Sequence, residues 1–254
     1  MKNPDNPHSN DMNLSPEIKS TSILHLRISD AHVLEVCVDF PEGAGPFPAL
    51  ILAPGLRYGM HRPVIAQSAD HLVAQGIAVY RFNWIFYTVD AENGHPSADL
   101  SAEIASMQAI IAVARNDARV NPHQLAVAGK SFGSVVAWQV FQADKSLQRC
   151  VLMTPLCKSE ATNENEALDA VRKNYTGVEQ ESRPVAMMAG DQDPYCELPL
   201  LYPYAASFAR PATVTVLPGN HSFEMPSKDG VSSERAFQLT MDLLVRQLGT
   251  FLLA

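Results

Sequence analysis

The chain has no run of the roughly 18 consecutive apolar residues that a bilayer-spanning helix needs, so no membrane span and no membrane partner are expected. It is also short of positive charge. Lys and Arg number 19 against 27 Asp and Glu, and no Lys/Arg cluster interrupts the net charge of −8. A nucleic-acid surface normally needs a basic patch, so no nucleic-acid partner is expected either. Cysteine is scarce. Cys37, Cys150, Cys157 and Cys196 are scattered with no C-x-x-C spacing, and the first two lie in apolar, strand-like runs, where a free thiol behaves as a small hydrophobe. All four read as buried and reduced. Repeats and low-complexity tracts are absent. Residues 1–20 are polar and rich in Asn, Ser and Pro, without the apolar core of a secretory signal, and read as a disordered leader on a cytoplasmic protein.

The remaining length, residues 21–254 of a chain that is 46% hydrophobic, suits one α/β domain with a large core. Strand and helix patterns alternate as in a βαβ series. Ile23 to Ile28 and Val33 to Phe40 predict an opening antiparallel hairpin that turns near Asp30. Ala49 to Ala53 and Ile77 to Phe82 predict buried strands, with a helix from Pro63 to Gln75 between them. Pro63 suits a first helical turn, where its missing N–H costs nothing. Leu100, Ile104, Met107 and Ile111 recur at helical spacing and predict a second helix capped by Ser97. Later strands are expected at Leu125 to Ala128, Cys150 to Thr154, Pro184 to Ala189 and Ala212 to Leu217. The last helix places Phe237, Met241, Leu244 and Leu248 on one face.

Chemistry enters at Gly129-Lys130-Ser131-Phe132-Gly133. A G-x-S-x-G between an apolar strand and an apolar helix reads as a nucleophile elbow, a turn so tight that the serine hydroxyl projects above the sheet. The two glycines remove Cβ atoms where strand and helix backbones crowd together. Chain order adds weight. Gly190-Asp191-Gln192-Asp193-Pro194 follows one predicted strand and Pro218-Gly219-Asn220-His221-Ser222-Phe223 follows the next. Serine, aspartate and histidine therefore appear in sequence, each just past the C-terminal end of a strand, which is where open α/β sheets bind ligands. His8, His25, His32 and His123 lie in the leader, the hairpin and a turn; His61, His71 and His95 all precede the serine.

These segments, with the turn Leu52-Ala53-Pro54-Gly55-Leu56, resemble the α/β-hydrolase superfamily, in particular its small dienelactone-hydrolase-like and serine-esterase-like members. The resemblance spans most of the chain from Pro48 onward. It departs at Pro54-Gly55, where many relatives carry His-Gly, and at Ser134, where many carry a further glycine. It implies a mostly parallel central sheet of about eight strands flanked by helices, with Pro155 to Arg183 as the only room for a lid, small or absent. It also implies a serine hydrolase that needs no cofactor and no metal and acts on a small-molecule ester or related acyl substrate. Ser131 would be the nucleophile and His221 the general base, with Asp193 orienting the imidazole because family acid loops commonly read Gly-x-x-Asp-Pro. Asp191 remains the alternative acid, or a residue that merely satisfies the turn. The backbone N–H groups of Leu56 and Phe132 would form the oxyanion hole. Arg57, Tyr58 and Trp84 are the expected substrate contacts, Trp84 as part of an aromatic wall.

Other readings use the same residues. Gly129-Lys130-Ser131 echoes the end of a phosphate-binding P-loop, but that motif needs a glycine where this chain has Gln124. A hydrolase-like fold can serve as an inactive binding module, since fold does not set function. An acyl-enzyme can also be resolved by an alcohol or amine, which would make the protein an acyltransferase. The oligomeric state is not readable from the sequence.

Overall fold

The computed structural model describes residues 19–161, 163–227 and 230–254. The expected leader lies outside these residues except for Lys19 and Ser20, which open a strand. That strand, β1 (Lys19–Arg27), pairs antiparallel with β2 (Val33–Pro41) along its whole length, Lys19 facing Pro41 and Arg27 facing Val33. The hairpin is thus longer than its apolar pattern predicts, because the polar outer half of β1 is carried by its ladder rather than by burial.

Six more strands complete the sheet: β3 (Phe47–Ala53), β4 (Ala78–Phe82), β5 (Val120–Lys130), β6 (Arg149–Met153), β7 (Val185–Gly190) and β8 (Thr213–Leu217). Their order is β1-β2-β4-β3-β5-β6-β7-β8, and only β2 runs against its neighbours. The expected mostly parallel, eight-stranded sheet is present. Sheets of this kind are covered on both faces, so their strands read as continuous apolar runs. The register shows it. Ala49, Ile51, Val127 and Leu152 face one core, and Leu50, Leu52, Ala128 and Met153 face the other.

Helices α1 (Pro63–Ala74) and α7 (Ser233–Leu253) close the second core through Val64, Leu72, Met241 and Leu248. The first core is closed by α3 (Ser101–Asn116), α4 (Phe132–Ala143), α5 (Glu164–Arg172) and α6 (Leu198–Ala206), with the short α2 (Ile85–Val89) beside the site. Pro63 opens α1 as expected. Ser97 is not the cap of α3. The helix starts later, behind Leu100 at φ 59°, and Ser97 reaches in from further back: its hydroxyl donates to the Glu103 carboxylate at 2.6 Å and accepts from the Ala102 amide at 3.3 Å.

Two residues at the end of β4 hold the loop that follows β3. The Asn83 side-chain oxygen accepts from the Met60 amide at 2.7 Å, and Arg81 donates to the Met60 carbonyl at 3.1 Å. Arg81 also donates to Asp39 at 2.9 Å, a carboxylate with no exposed side-chain surface. Removing one partner of a buried ion pair costs more than replacing both with apolar residues. Arg81→Leu is therefore expected to destabilise the fold by about 3–5 kcal/mol in urea denaturation. The double variant Arg81→Leu with Asp39→Leu should recover most of that loss.

Candidate active site

β5 ends at Lys130 and α4 begins at Phe132, so Ser131 alone makes the turn, at φ 54° and ψ −120°. A non-glycine residue there is strained by about 1–3 kcal/mol and persists only where its surroundings hold it. Its amide donates to the Met153 carbonyl at 2.8 Å, and its own carbonyl accepts from the Ser134 amide at 2.9 Å and the Ser134 hydroxyl at 2.6 Å. The flanking glycines are required by contact. A Cβ on Gly129 would sit 2.0 Å from the Gly133 carbonyl oxygen, and one on Gly133 would sit 2.4 Å from that of Pro54. The P-loop reading fails on the same geometry, because Leu125 to Ala128 is ladder-bonded strand between β3 and β6 rather than an anion-cradling loop.

Proton accounting extends this framework. Ser134 spends its hydrogen on Ser131, so Tyr175 donates to the Ser134 oxygen at 2.8 Å and accepts from the Leu156 amide at 2.8 Å. Ser134, which replaces the further glycine of many relatives, thus ties the elbow to the segment that was the only room for a lid. That segment is tied to α4 a second time: Trp138 also donates to the Thr176 carbonyl at 2.9 Å.

His221 lies across from the elbow. Its Nδ1 faces both oxygens of Asp193 at 2.8 Å, and the Asp193 side chain is fully buried. With Nδ1–H donating there, Nε2 makes no hydrogen bond among the described residues, and His221 lines a cavity. Asp191 is used differently: it accepts from the Gly219 amide at 2.8 Å and so closes the histidine loop. The acid and histidine loops approach closely enough that a Cβ on Gly190 would lie 2.3 Å from the Gly219 carbonyl oxygen.

Ser131 and His221 line one cavity of about 490 Å³ together with Leu56, Phe132, Arg57 and Tyr58. No hydrogen bond joins the serine hydroxyl to the imidazole among the described residues; such contacts commonly tighten only on substrate binding. Phe132 is the first residue of α4, whose opening amides have no partner within the helix. Arg57 reaches the cavity while donating to the Gly94 carbonyl at 2.8 Å, and the Tyr58 hydroxyl accepts from the Val64 amide at the start of α1. Trp84 does not line the cavity. It is 1% exposed, donates to the Pro54 carbonyl at 2.9 Å and packs edge-on against Phe132 at 5.7 Å. Its ring braces the turn from beneath, because a large amphipathic ring gains more from burial with its N–H bonded than from exposure. His61 faces Arg81 instead of the cavity.

This order of strands, the strained serine between two glycines and the buried aspartate–histidine pair agree with the family comparison, in which the family described as "Alpha/beta hydrolase domain" matches residues 47–248. The chain belongs to the alpha/beta hydrolase family. No curated protein matches it by sequence. Its fold is similar to that of XC6422 from Xanthomonas campestris, a serine hydrolase described as having no lid, with a TM-score of 0.65 and 20% identity over 91% of this chain and 93% of that one. It is also similar to a serine hydrolase homologue from Coxiella burnetii (TM-score 0.65, 20% identity, 89% and 97% covered). A dienelactone hydrolase from Anabaena variabilis aligns with a TM-score of 0.66 at 13% identity, 93% and 98% covered. A small or absent lid thus fits this alpha/beta hydrolase.

Leu156, Ser222, Tyr195 and Lys130 line the cavity without having been placed there by the sequence reading. Tyr195, two residues past Asp193, stacks edge-on against the His221 ring with centroids 4.8 Å apart. Nothing but its place in the acid loop could have pointed to it. Lys130, which the sequence singled out only in the echo of a P-loop, is 2% exposed, and its Nζ lies 4.5 Å above the Tyr58 ring with no hydrogen-bond acceptor among the described residues. Burial pulls its pKa from the ordinary 10.5 down to about 8, against the opposing pull of Asp193 and Glu224. Between about pH 8 and 10.5 the unfolded chain holds a proton that the folded chain has lost, so this residue makes stability rise with pH across that window. Below it the full penalty remains, on the order of 3 kcal/mol. Lys130→Met is expected to raise stability at pH 7 by about 1–3 kcal/mol, and the gap to the native chain should close as pH climbs towards 10. Denaturant titrations at a series of pH values measure both; a variant that loses stability at pH 7 contradicts this account.

Proposed function

We propose that the protein is a serine hydrolase that cleaves an ester or related acyl bond through an acyl-enzyme on Ser131. The observation that carries this reading is the His221 Nδ1 held at 2.8 Å by both oxygens of a buried Asp193, on the rim of the cavity that the strained Ser131 also lines.

A serine hydroxyl is a poor nucleophile at neutral pH and needs a neighbouring base to take its proton. His221 presents Nε2 for that step, and Asp193 fixes the tautomer and stabilises the imidazolium once it forms. The tetrahedral oxyanion is received by the backbone N–H groups of Leu56 and Phe132, the latter at the positive end of α4. His221 then returns its proton to the leaving group, water enters, and the same base activates it to release the acid. The neighbours described as serine hydrolases support this chemistry without identifying the substrate.

The cavity supports a reading of the substrate class. Its volume suits a small molecule. Arg57 and Lys130 line it and no Asp or Glu does, in a chain whose net charge is −8. An acyl compound with a polar or negatively charged portion fits best, with Tyr58 supplying the ring contact.

Ser131→Ala is expected to abolish both short-chain p-nitrophenyl ester cleavage and labelling by a fluorophosphonate probe. Undiminished turnover in that variant would refute the nucleophile assignment. Asp193→Asn should lower kcat by roughly 10⁴-fold through the wrong tautomer. Asp191→Asn should cost mainly stability, since its carboxylate only closes a turn; a larger kcat loss in Asp191→Asn than in Asp193→Asn reverses the choice of acid.

A further inference from the structure

Cys157 and Cys196, scattered in sequence, are neighbours in space. An isolated parallel bridge joins them outside the main sheet. The Cys157 amide donates to the Tyr195 carbonyl at 2.9 Å, and the Glu197 amide donates to the Cys157 carbonyl at 2.8 Å. Residues directly opposite in such a bridge sit about 4.8 Å apart and point to the same side. That spacing falls inside the Cα separation a disulfide accepts, roughly 4.4–6.8 Å. The bridge therefore brings the two cysteines side by side. Both are buried and free, whereas Cys37 and Cys150 lie on separate strands, β2 and β6.

We propose that Cys157 and Cys196 are a disulfide-forming modification site, a dithiol whose backbone is set for a bridge before the bridge exists. The partner reagent is a small-molecule disulfide of the glutathione class. One cysteine thiolate attacks it and releases one glutathione thiol; the second cysteine attacks the resulting mixed disulfide and releases another. The chain loses two hydrogens and the reagent is reduced to two thiols. The adjoining Cys157 thiol and burial hold the Cys196 thiol above its usual range, so the folded dithiol reacts slowly and the exchange runs through partial opening.

The position of the bridge gives it consequence. It would close a loop of about forty residues that holds α5, β7, Asp193 and Tyr195, and would clamp the segment after β6 to the acid loop. Leu156 and Tyr195, one residue before each cysteine, line the cavity together with His221. The bridge therefore fixes the cavity wall without touching Ser131. This inference stands apart from the acyl-transfer reading and survives its failure.

The test is oxidation of the whole chain by oxidised glutathione in mild denaturant, followed by return to native buffer, blocking of residual thiols and peptide mapping. The expected product has lost two hydrogens, carries no glutathione, and yields a Cys157–Cys196 linked peptide, with Cys37 and Cys150 alkylated only after unfolding. Its Tm should exceed that of the reduced chain by about 5 °C or more, and dithiothreitol should reverse the gain. Cys157→Ala and Cys196→Ala should each remove both the hydrogen loss and the Tm gain; mapping of the native chain decides the matter if either variant fails to fold. Stable glutathione adducts, a link through Cys37 or Cys150, or a bridged chain with a lower Tm would overturn the proposal.

Discussion

Backbone touches backbone where β5 runs into α4, and the rest of the site depends on that contact. Gly129 and Gly133 approach so closely that no side chain fits on either, and Gly133 meets the end of β3 in the same place. The serine between them is forced to φ 54°. Its strain is held by hydrogen bonds to Met153 and Ser134, one on the next strand and one in the first turn of the helix. Only a sheet packed on both faces can impose such a conformation, because a looser scaffold would relax the turn.

The remaining parts are placed by the same means. Trp84 and Asn83, just beyond β4, hold Pro54 and Met60 of the loop after β3, with Arg81 acting from within the strand. Gly190 lets the acid loop and the histidine loop share one backbone contact, and Asp191 ties them together so that Asp193 can face the imidazole. Buried polar groups here set geometry; their stability cost is offset elsewhere in the core. Lys130 is the clearest such cost, an ammonium held against Tyr58 where a methionine would fit more cheaply.

Much of this was legible before folding was considered. Strands buried on both faces are continuous apolar runs, so β3, β5, β6 and β7 stand out, and α1 and α7 show their buried stripes. The elbow is legible because its glycines answer a steric demand that no other residue meets. Trp84 was misplaced because an aromatic cluster near a sheet edge looks alike whether it lines a cavity or braces a turn. Ser97 was misread as a cap because a serine near a helix start carries no sign of which amide it will meet.

Sequence by itself determined the class of fold, the order serine, aspartate, histidine along the chain, and the place of Ser131 on a tight turn between strand and helix, because these follow from local patterns and from turns with strict steric needs. Tertiary structure put Asp193, the acid the sequence already favoured over Asp191, against His221, and it alone decided that Tyr195 and Lys130 border the cavity and that Cys157 lies beside Cys196. Each of these is a contact between segments far apart in the chain. Such contacts are set by strand order and register, which no local pattern of residues encodes.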